Sequence, residues 1–248
     1  MGQTTTRVSD ITVSVMRPAT PTVKPPVLLV HGMFGGAWHF EGYQRLLAER
    51  GYESHALNLR GHHGSRPVAN IGKVALADYI ADAAEVARVL RSPDGRGPIV
   101  IGYSMGGLIA AYLVKCLDQG RCVRRVVTIG TPHRGVPALS EWWWLLARWA
   151  RSAHQMRAGS AFLDQLLRMP APEGTSILSV AGSEDTIVPP DAAHLEGAGL
   201  RNLVVPGLDH WTLPKSRRVF RCVKEVLQSE RGQLPPPQLA TQPMEMAR

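Results

Sequence analysis

The chain has 248 residues, of which 44% are hydrophobic and 19% charged, a composition typical of a globular protein with a sizeable core. Its net charge is +8, from 28 Lys and Arg against 20 Asp and Glu. The basic residues are scattered and no nucleic-acid-binding module accompanies them, so we expect no nucleic-acid partner.

Apolar runs of strand length alternate with segments of helical periodicity along most of the chain. The predicted strands are residues 8–16, 27–31, 52–57, 99–103, 123–129, 176–181 and 203–205. The predicted helices are residues 40–50, 76–90, 105–117 and 215–228. This alternation indicates an α/β fold with a doubly wound, mainly parallel sheet and helices on both faces. We predict one domain over residues 1–232 and a disordered tail over the Pro-rich residues 233–248.

Residues 133–172 break the alternation, because they are helical in character but have no paired strand. They contain four of the six tryptophans of the chain. The stretch follows a predicted strand and therefore lies at the carboxyl edge of the sheet, where open α/β folds bind ligands. We predict a helical cap over the site, with Trp142 as a substrate contact. The alternative is that these tryptophans only pack the insertion onto the body.

The three cysteines are an odd number without a framework spacing, which favours buried free thiols over disulfides. No apolar signal segment precedes Val27, and no apolar run reaches the roughly 18 residues that span a membrane. We therefore expect a cytoplasmic protein without a transmembrane helix.

A G-x-S-x-G pattern, residues 102–106, stands between a predicted strand and a predicted helix. On a tight strand-to-helix turn, a serine projects its hydroxyl from the edge of the sheet, and the flanking glycines allow the turn. The pattern is common by chance, so its position between strand and helix carries the interpretation. Ser104 is the predicted nucleophile.

A serine hydroxyl needs a base, and the base needs an acidic partner that orients it. Glu184 and Asp185 directly follow the predicted strand 176–181, and His210 lies in the loop after the next strand. Asp209 is adjacent to His210, but neighbours in sequence seldom point the same way. These loops are expected at the same edge of the sheet as Ser104.

Acyl transfer also needs N–H donors for the oxyanion that forms in the transition state. The N–H of Met105, directly after the serine, is one predicted donor. The other is the N–H of Met33 in the glycine-rich loop 31–36, with Phe34 as the alternative. Phe34 and Trp38 are predicted to line the mouth of the substrate pocket. His31 is expected to shape this loop by hydrogen bonding rather than to act in catalysis.

Taken together, residues 25–228 resemble the α/β-hydrolase superfamily. The resemblance rests on His31-Gly32, the Leu59–His62 loop, the pattern around Ser104, the Asp185 segment and His210. Within the superfamily the chain is similar to bacterial lipases and esterases, through the segments 130–135 and 155–163.

The resemblance implies an α/β-hydrolase fold with a cap and a serine hydrolase that cleaves carboxylic esters through an acyl-enzyme, with neither cofactor nor metal. It assigns the acid to Asp185 before Val188-Pro189 and the base to His210, with Glu184 as the alternative acid. The chain departs from many relatives at Asn58, where they have an acid.

Membership of a superfamily leaves the reaction open. The same residues are compatible with hydrolysis of a thioester, lactone, amide or carbon–carbon bond. A ligand-binding relative without catalysis is another reading, as is transient contact of the Trp-rich cap with a membrane surface. Dehalogenase and epoxide hydrolase activities are disfavoured, because those relatives have an aspartate in the place of Ser104. Oligomeric state and acyl-chain length are not predicted.

Overall fold

The computed structural model describes residues 2–62, 64–65, 70–136 and 150–229. The strands are β1 (Gln3–Val8), β2 (Ile11–Met16), β3 (Val27–Val30), β4 (Ser54–Asn58), β5 (Ile99–Tyr103), β6 (Arg125–Ile129), β7 (Ser176–Gly182) and β8 (Leu200–Val205). The helices are α1 (Glu41–Glu49), α2 (Leu76–Val89), α3 (Met105–Tyr112), α4 (Arg151–Gln155), α5 (Ala161–Arg168) and α6 (Arg217–Gln228). Short 3₁₀ turns cover Ala37–Phe40 and Leu213–Lys215, and Leu113–Asp118 continues α3 as a π-helix.

All eight strands form one sheet in the order β1-β2-β4-β3-β5-β6-β7-β8. β2 pairs with β1 and with β4 in antiparallel orientation, and every pair from β4 to β8 is parallel. The predicted doubly wound, mainly parallel sheet is therefore confirmed. Because parallel strands end at the same edge, the loops after β3, β5, β6, β7 and β8 meet at one edge of the sheet.

The prediction of one edge strand over residues 8–16 is wrong. Two strands meet there in a hairpin, with Gln3 opposite Met16 and Val8 opposite Ile11. Ser9 adopts a φ of +51° at the turn between them. β1 is exposed along most of its length, so its side chains carry no buried apolar face from which a strand could be predicted.

Side chains of the central strands alternate between two apolar layers, as the pleat of a strand requires. Leu28 and Val100 join the layer that includes α2 and α3. Leu29 and Ile101 join the layer beneath α1 and α6. Burial on both faces explains why these strands are continuously apolar in sequence.

The described part of the predicted cap, residues 150–172, packs against the body of the domain. Ala153, Met156 and Leu163 are buried in the layer that contains α2 and α3. The side-chain oxygen of Gln155 accepts a hydrogen bond from the N–H of Leu76 at 2.8 Å. Residues 137–149, which hold Trp142 and the three other tryptophans of this stretch, lie outside the described residues, as does the predicted tail.

All three cysteines are free. Cys222 is buried, whereas Cys116 and Cys122 are half-buried, so the prediction of buried thiols is only partly correct. Within the described ranges, the longest apolar helices fall short of what a membrane crossing requires.

Candidate active site

Ser104 occupies a strained turn between β5 and α3. Its φ of +52° and ψ of −119° are unusual for a residue with a side chain. Its N–H donates to the carbonyl of Ile129 at 2.8 Å, which ties the turn to the end of β6. A Cβ on Gly102 would lie 2.3 Å from the carbonyl oxygen of Gly106, and a Cβ on Gly106 would lie 2.0 Å from that of Val30. The turn therefore requires glycine on both sides of the serine.

The structure brings Ser104, His210 and Asp185 together. Nε2 of His210 lies 3.2 Å from Oγ of Ser104, and Nδ1 of His210 lies 2.7 Å from Oδ2 of Asp185. An ionised carboxylate only accepts hydrogen bonds, so Nδ1 carries the proton and Nε2 is left to accept from the serine hydroxyl. Both His210 and Asp185 are buried, while Ser104 is half-buried.

The two alternative acids are placed elsewhere. Glu184 is exposed, and the Asp209 carboxylate accepts from the N–H and the hydroxyl of Thr212 at 2.8 and 2.7 Å. These bonds with Thr212 lower the pKa of Asp209 below its usual value. Asp209 thus stabilises the turn that carries His210 and does not orient its ring.

The Asp185 carboxylate is itself held by the backbone. Its Oδ1 accepts from the N–H groups of Ile187 at 3.0 Å and Val188 at 2.7 Å, which leaves Oδ2 for the imidazole. Because the Asp185 oxygen that accepts from Nδ1 of His210 is fixed in this way, the ring has one orientation and one tautomer.

Two residues that the sequence analysis did not identify as site residues adjoin His210. The hydroxyl of Tyr103 donates to the carbonyl of His210 at 2.9 Å. Burial raises the pKa of Tyr103, and the nearby Asp185 adds to this, so the hydroxyl stays protonated. On another side, a Cβ on Gly130 would lie 3.3 Å from Nδ1 of His210 and 3.4 Å from Oδ2 of Asp185. The available signal was position, since Tyr103 directly precedes the serine and Gly130 directly follows β6.

The predicted oxyanion loop lies directly against the serine. A Cβ on Gly32 would be 3.0 Å from the Cβ of Ser104. The N–H groups of Met33 and Met105 make no hydrogen bond within the described part of the chain. Phe34 adopts a φ of +60°, which turns the loop immediately after Met33. Neither N–H group is engaged among the described residues, and their role as oxyanion donors stays a prediction.

His31 shapes the predicted oxyanion loop by hydrogen bonding. Its Nδ1 donates to the carbonyl of Gly32 at 2.7 Å, and its Nε2 accepts from the N–H of Leu59 at 3.1 Å. Complete burial, helped by the neighbouring His62, lowers the pKa of His31 to about 3. A neutral ring with both nitrogens occupied joins this loop to the end of β4.

Asn58 takes part in the same arrangement. Its side-chain oxygen accepts from the N–H of Ala37 at 2.8 Å, at the start of the 3₁₀ turn that carries Trp38. Asn58 stands where many relatives have an acid, and its amide oxygen still provides a hydrogen-bond acceptor at this position.

Three exposed aromatic rings lie in loops at the same edge of the sheet as Ser104. Phe34, Trp38 and Trp211 are 55%, 51% and 62% exposed. Trp38 packs against His39 with ring centroids 3.9 Å apart and the ring planes tilted by 53°, and Trp211 lies edge-on to His210 at 5.8 Å. Burial lowers the pKa of His39 to about 4, with contributions from Lys215 and His210. That Phe34 and Trp38 line the mouth of a substrate pocket stays a prediction.

A buried hydrogen bond connects the segment after β6 to that strand. Nε2 of His133 lies 2.9 Å from Oγ1 of Thr128. Complete burial lowers the pKa of His133 to about 3, so the ring is neutral.

Across the described ranges, no group of three or more His, Cys, Asp or Glu side chains has an arrangement suited to a metal ion.

A family model described as alpha/beta hydrolase fold matches residues 25–155, slightly more than half of the chain. The matched range includes Ser104 and the loop after β3, whereas Asp185 and His210 lie beyond it.

Curated relatives and solved structures agree with this match. An sn-1-specific diacylglycerol lipase of Xenopus tropicalis is 31% identical over 134 residues, 53% of this chain and 39% of that protein. A triacylglycerol lipase of Pseudarthrobacter phenanthrenivorans is 33% identical over 118 residues, 44% of this chain and 34% of that protein. The chain thus spans well under half the length of these relatives. The mature Bacillus licheniformis lipase superposes with a TM-score of 0.66 at 22% identity, over 87% of this chain and 97% of that one.

Proposed function

The chain belongs to the α/β-hydrolase fold family, and from that premise we propose that it hydrolyses carboxylic esters as an esterase or lipase, with Ser104, His210 and Asp185 as its catalytic residues. The observation that supports this most is the continuous contact from serine to histidine to aspartate, at 3.2 and 2.7 Å. The lipase names of the curated relatives agree with an ester substrate.

In the proposed reaction, Oγ of Ser104 attacks the ester carbonyl while Nε2 of His210 takes its proton. The Asp185 carboxylate stabilises the imidazolium, and the N–H groups of Met33 and Met105 donate to the oxyanion. His210 then protonates the departing alcohol, which leaves an acyl group on Ser104. Water, deprotonated by His210, attacks the acyl carbonyl, and His210 then returns that proton to Oγ of Ser104 as the acid leaves.

The aromatic mouth supports an apolar substrate. Phe34 and Trp38 provide exposed rings in the loop that follows β3, at the same edge of the sheet as Ser104, and such rings bury a large apolar area on binding. Trp142 remains a proposed substrate contact from sequence, outside the described residues. Transient contact of the Trp-rich stretch with a lipid surface remains part of the same proposal.

The test is hydrolysis of p-nitrophenyl esters from acetate to palmitate by the wild type, Ser104→Ala and the matched control Ser183→Ala. Ser183 is exposed and its hydroxyl accepts from the N–H of Gly207. We expect Ser104→Ala to lower kcat/KM by about 10⁴-fold or more, and Ser183→Ala to retain turnover. The chain-length optimum separates an esterase from a lipase.

The alternative reactions are separate arms of the assay. A thioester and a lactone of matched acyl length are compared with the ester at equal concentration. Ser104-dependent turnover confined to one of these would replace the ester assignment while keeping the three catalytic residues. Folded protein that binds apolar esters without turning any of them over would indicate a ligand-binding relative.

A further inference from the structure

A second cleft opens at the amino edge of the sheet, on the side opposite to Ser104. It lies between the segments that precede β3, β5 and β6 and the last turn of α6, and it has a volume of about 1120 Å³. We call it the amino-edge cleft. β5 connects the two sites, running from Pro98 in the cleft to Ser104. The six residue steps from Pro98 to Ser104, at about 3.3 Å each, separate them by about 20 Å.

The lining of the amino-edge cleft is strongly basic. Its charged residues are Lys24, Arg96, Arg121, Arg124, Arg125 and Asp94. Asp94 pairs with Nε of Arg96 at 2.7 Å. Its hydrogen bond with Arg96 lowers the pKa of Asp94 to about 2, so the carboxylate stays charged and committed to that arginine. The other four cations have no carboxylate partner within the described ranges.

Several contacts fix the walls of the cleft. Arg125 donates to the carbonyls of Leu227 at 3.2 Å and Ser229 at 2.9 Å, at the end of α6. Nζ of Lys24 donates to the carbonyl of Arg50 at 2.6 Å and lies 4.7 Å from the ring centre of Tyr52. These cations are positioned before any ligand arrives, so binding does not have to order them.

The remaining two arginines extend from the loop before β6. Within the described residues, the side chains of Arg121 and Arg124 make neither a hydrogen bond nor an ion pair, and both line the cleft. Burial lowers the pKa of Arg125, Tyr52 opposes this, and the nearby charge of Arg96 adds to the lowering. A concave surface with convergent positive charge attracts and concentrates anions.

We propose that the amino-edge cleft binds a small polyanion with linked phosphate groups. Guanidinium groups match phosphate oxygens in geometry and charge, which favours phosphate over a diffuse anionic surface. Concavity favours a small ligand over a membrane, because a flat lipid surface contacts exposed faces more readily than the interior of a cleft. The site is separate from Ser104, so its ligand is not the ester substrate, and the proposal does not depend on the proposed function.

Isothermal titration of the full chain with sodium tripolyphosphate tests the proposal, at one fixed ionic strength. The variant is Arg121→Glu/Arg124→Glu. The matched control is Arg7→Glu/Arg45→Glu, which makes the same change of charge at two exposed positions outside the cleft. We expect wild type and control to bind one equivalent, and the cleft variant to bind at least about tenfold more weakly, since charge-assisted bonds are lost.

Additional ligands identify the source of the phosphates. Tighter binding of ADP than of pyrophosphate indicates a nucleotide, and equal binding indicates free polyphosphate. If circular dichroism shows that the glutamate variant fails to fold, Arg121→Gln/Arg124→Gln replaces it in the same titration.

Three results would overturn the proposal. They are equal affinity of wild type and cleft variant, equal weakening in the control, and absence of tripolyphosphate binding by the wild type. If the wild type bound phosphatidylglycerol vesicles through Arg121 and Arg124 but bound no tripolyphosphate, the cleft would be a membrane contact and not a small-ligand site.

Discussion

Replacing Asp185 by asparagine tests the arrangement of the proposed active site through a single atom. Oδ1 of Asp185 accepts from the N–H groups of Ile187 and Val188. The only oxygen of asparagine must therefore stay there, which turns the NH₂ group toward Nδ1 of His210. An NH₂ group only donates, so Nδ1 must become the acceptor and the proton must move to Nε2. Nε2 can then no longer accept the proton of Ser104.

The expected loss follows from this forced change of tautomer. We predict that kcat/KM of Asp185→Asn falls by about 10⁴-fold, which corresponds to about 5.4 kcal/mol of transition-state stabilisation. The assay is p-nitrophenyl ester hydrolysis, with unfolding curves to confirm that the variant is folded. Asp209→Asn is the matched control, and we expect less than about a threefold loss because an amide oxygen still accepts from Thr212. A loss of less than tenfold in Asp185→Asn, or a larger loss in Asp209→Asn, would refute this reasoning.

Three further predictions follow from the same contacts. Gly130→Ala places a side chain on a backbone with a φ of +54° and 3.3 Å from Nδ1 of His210. We expect unfolding curves to show a loss of stability of about 1–2 kcal/mol, and we expect kcat to fall. An unchanged kcat would contradict this prediction. Tyr103→Phe leaves the buried His210 carbonyl without its donor. We expect kcat to fall while KM is unchanged, and the free energy of unfolding to decrease by about 1–3 kcal/mol. A purely structural role would leave kcat intact. His31 and His133 have pKa values of about 3 when folded against 6.5 when unfolded. Their contribution to the free energy of unfolding is therefore complete above pH 6.5 and is lost as pH falls toward 3. Urea unfolding should show a decline of up to about 2.7 kcal/mol per pH unit in that window, and stability that is flat from pH 7 to pH 4 would contradict this.

The central strands were predictable because they are buried on both faces. β3 and β5 are apolar at nearly every position and lie where the sequence indicated. β8 was predicted only over residues 203–205, because its first half, Leu200 to Asn202, mixes polar and apolar residues at an open edge. The helix after Ser104 was predicted as one element to residue 117, and its change to a π-helix at Leu113 depends on packing that periodicity does not report.

In the candidate site, too, the sequence pattern predicted some residues, while others depend on contacts made only in the folded chain. Ser104, Asp185 and His210 follow the ends of predicted strands, and a parallel sheet places such loops together. The bond from Tyr103 to His210 joins residues 107 positions apart, so it exists only once the loops are folded against each other. The choice of Asp185 over Asp209 is explained by the backbone donors of Ile187 and Val188 and by the turn with Thr212. Those contacts depend on local geometry that spacing alone does not specify.

Covalent labelling tests the central claim most directly. The protein is treated with a fluorophosphonate, a reagent that traps activated serines, and the modified peptide is identified by mass spectrometry, with Ser104→Ala and Asp185→Asn in parallel. We predict one adduct per chain on Ser104, none with Ser104→Ala, and much slower labelling with Asp185→Asn. Labelling of the wild type at another residue, or no labelling of folded wild-type protein, would contradict Ser104 as the nucleophile.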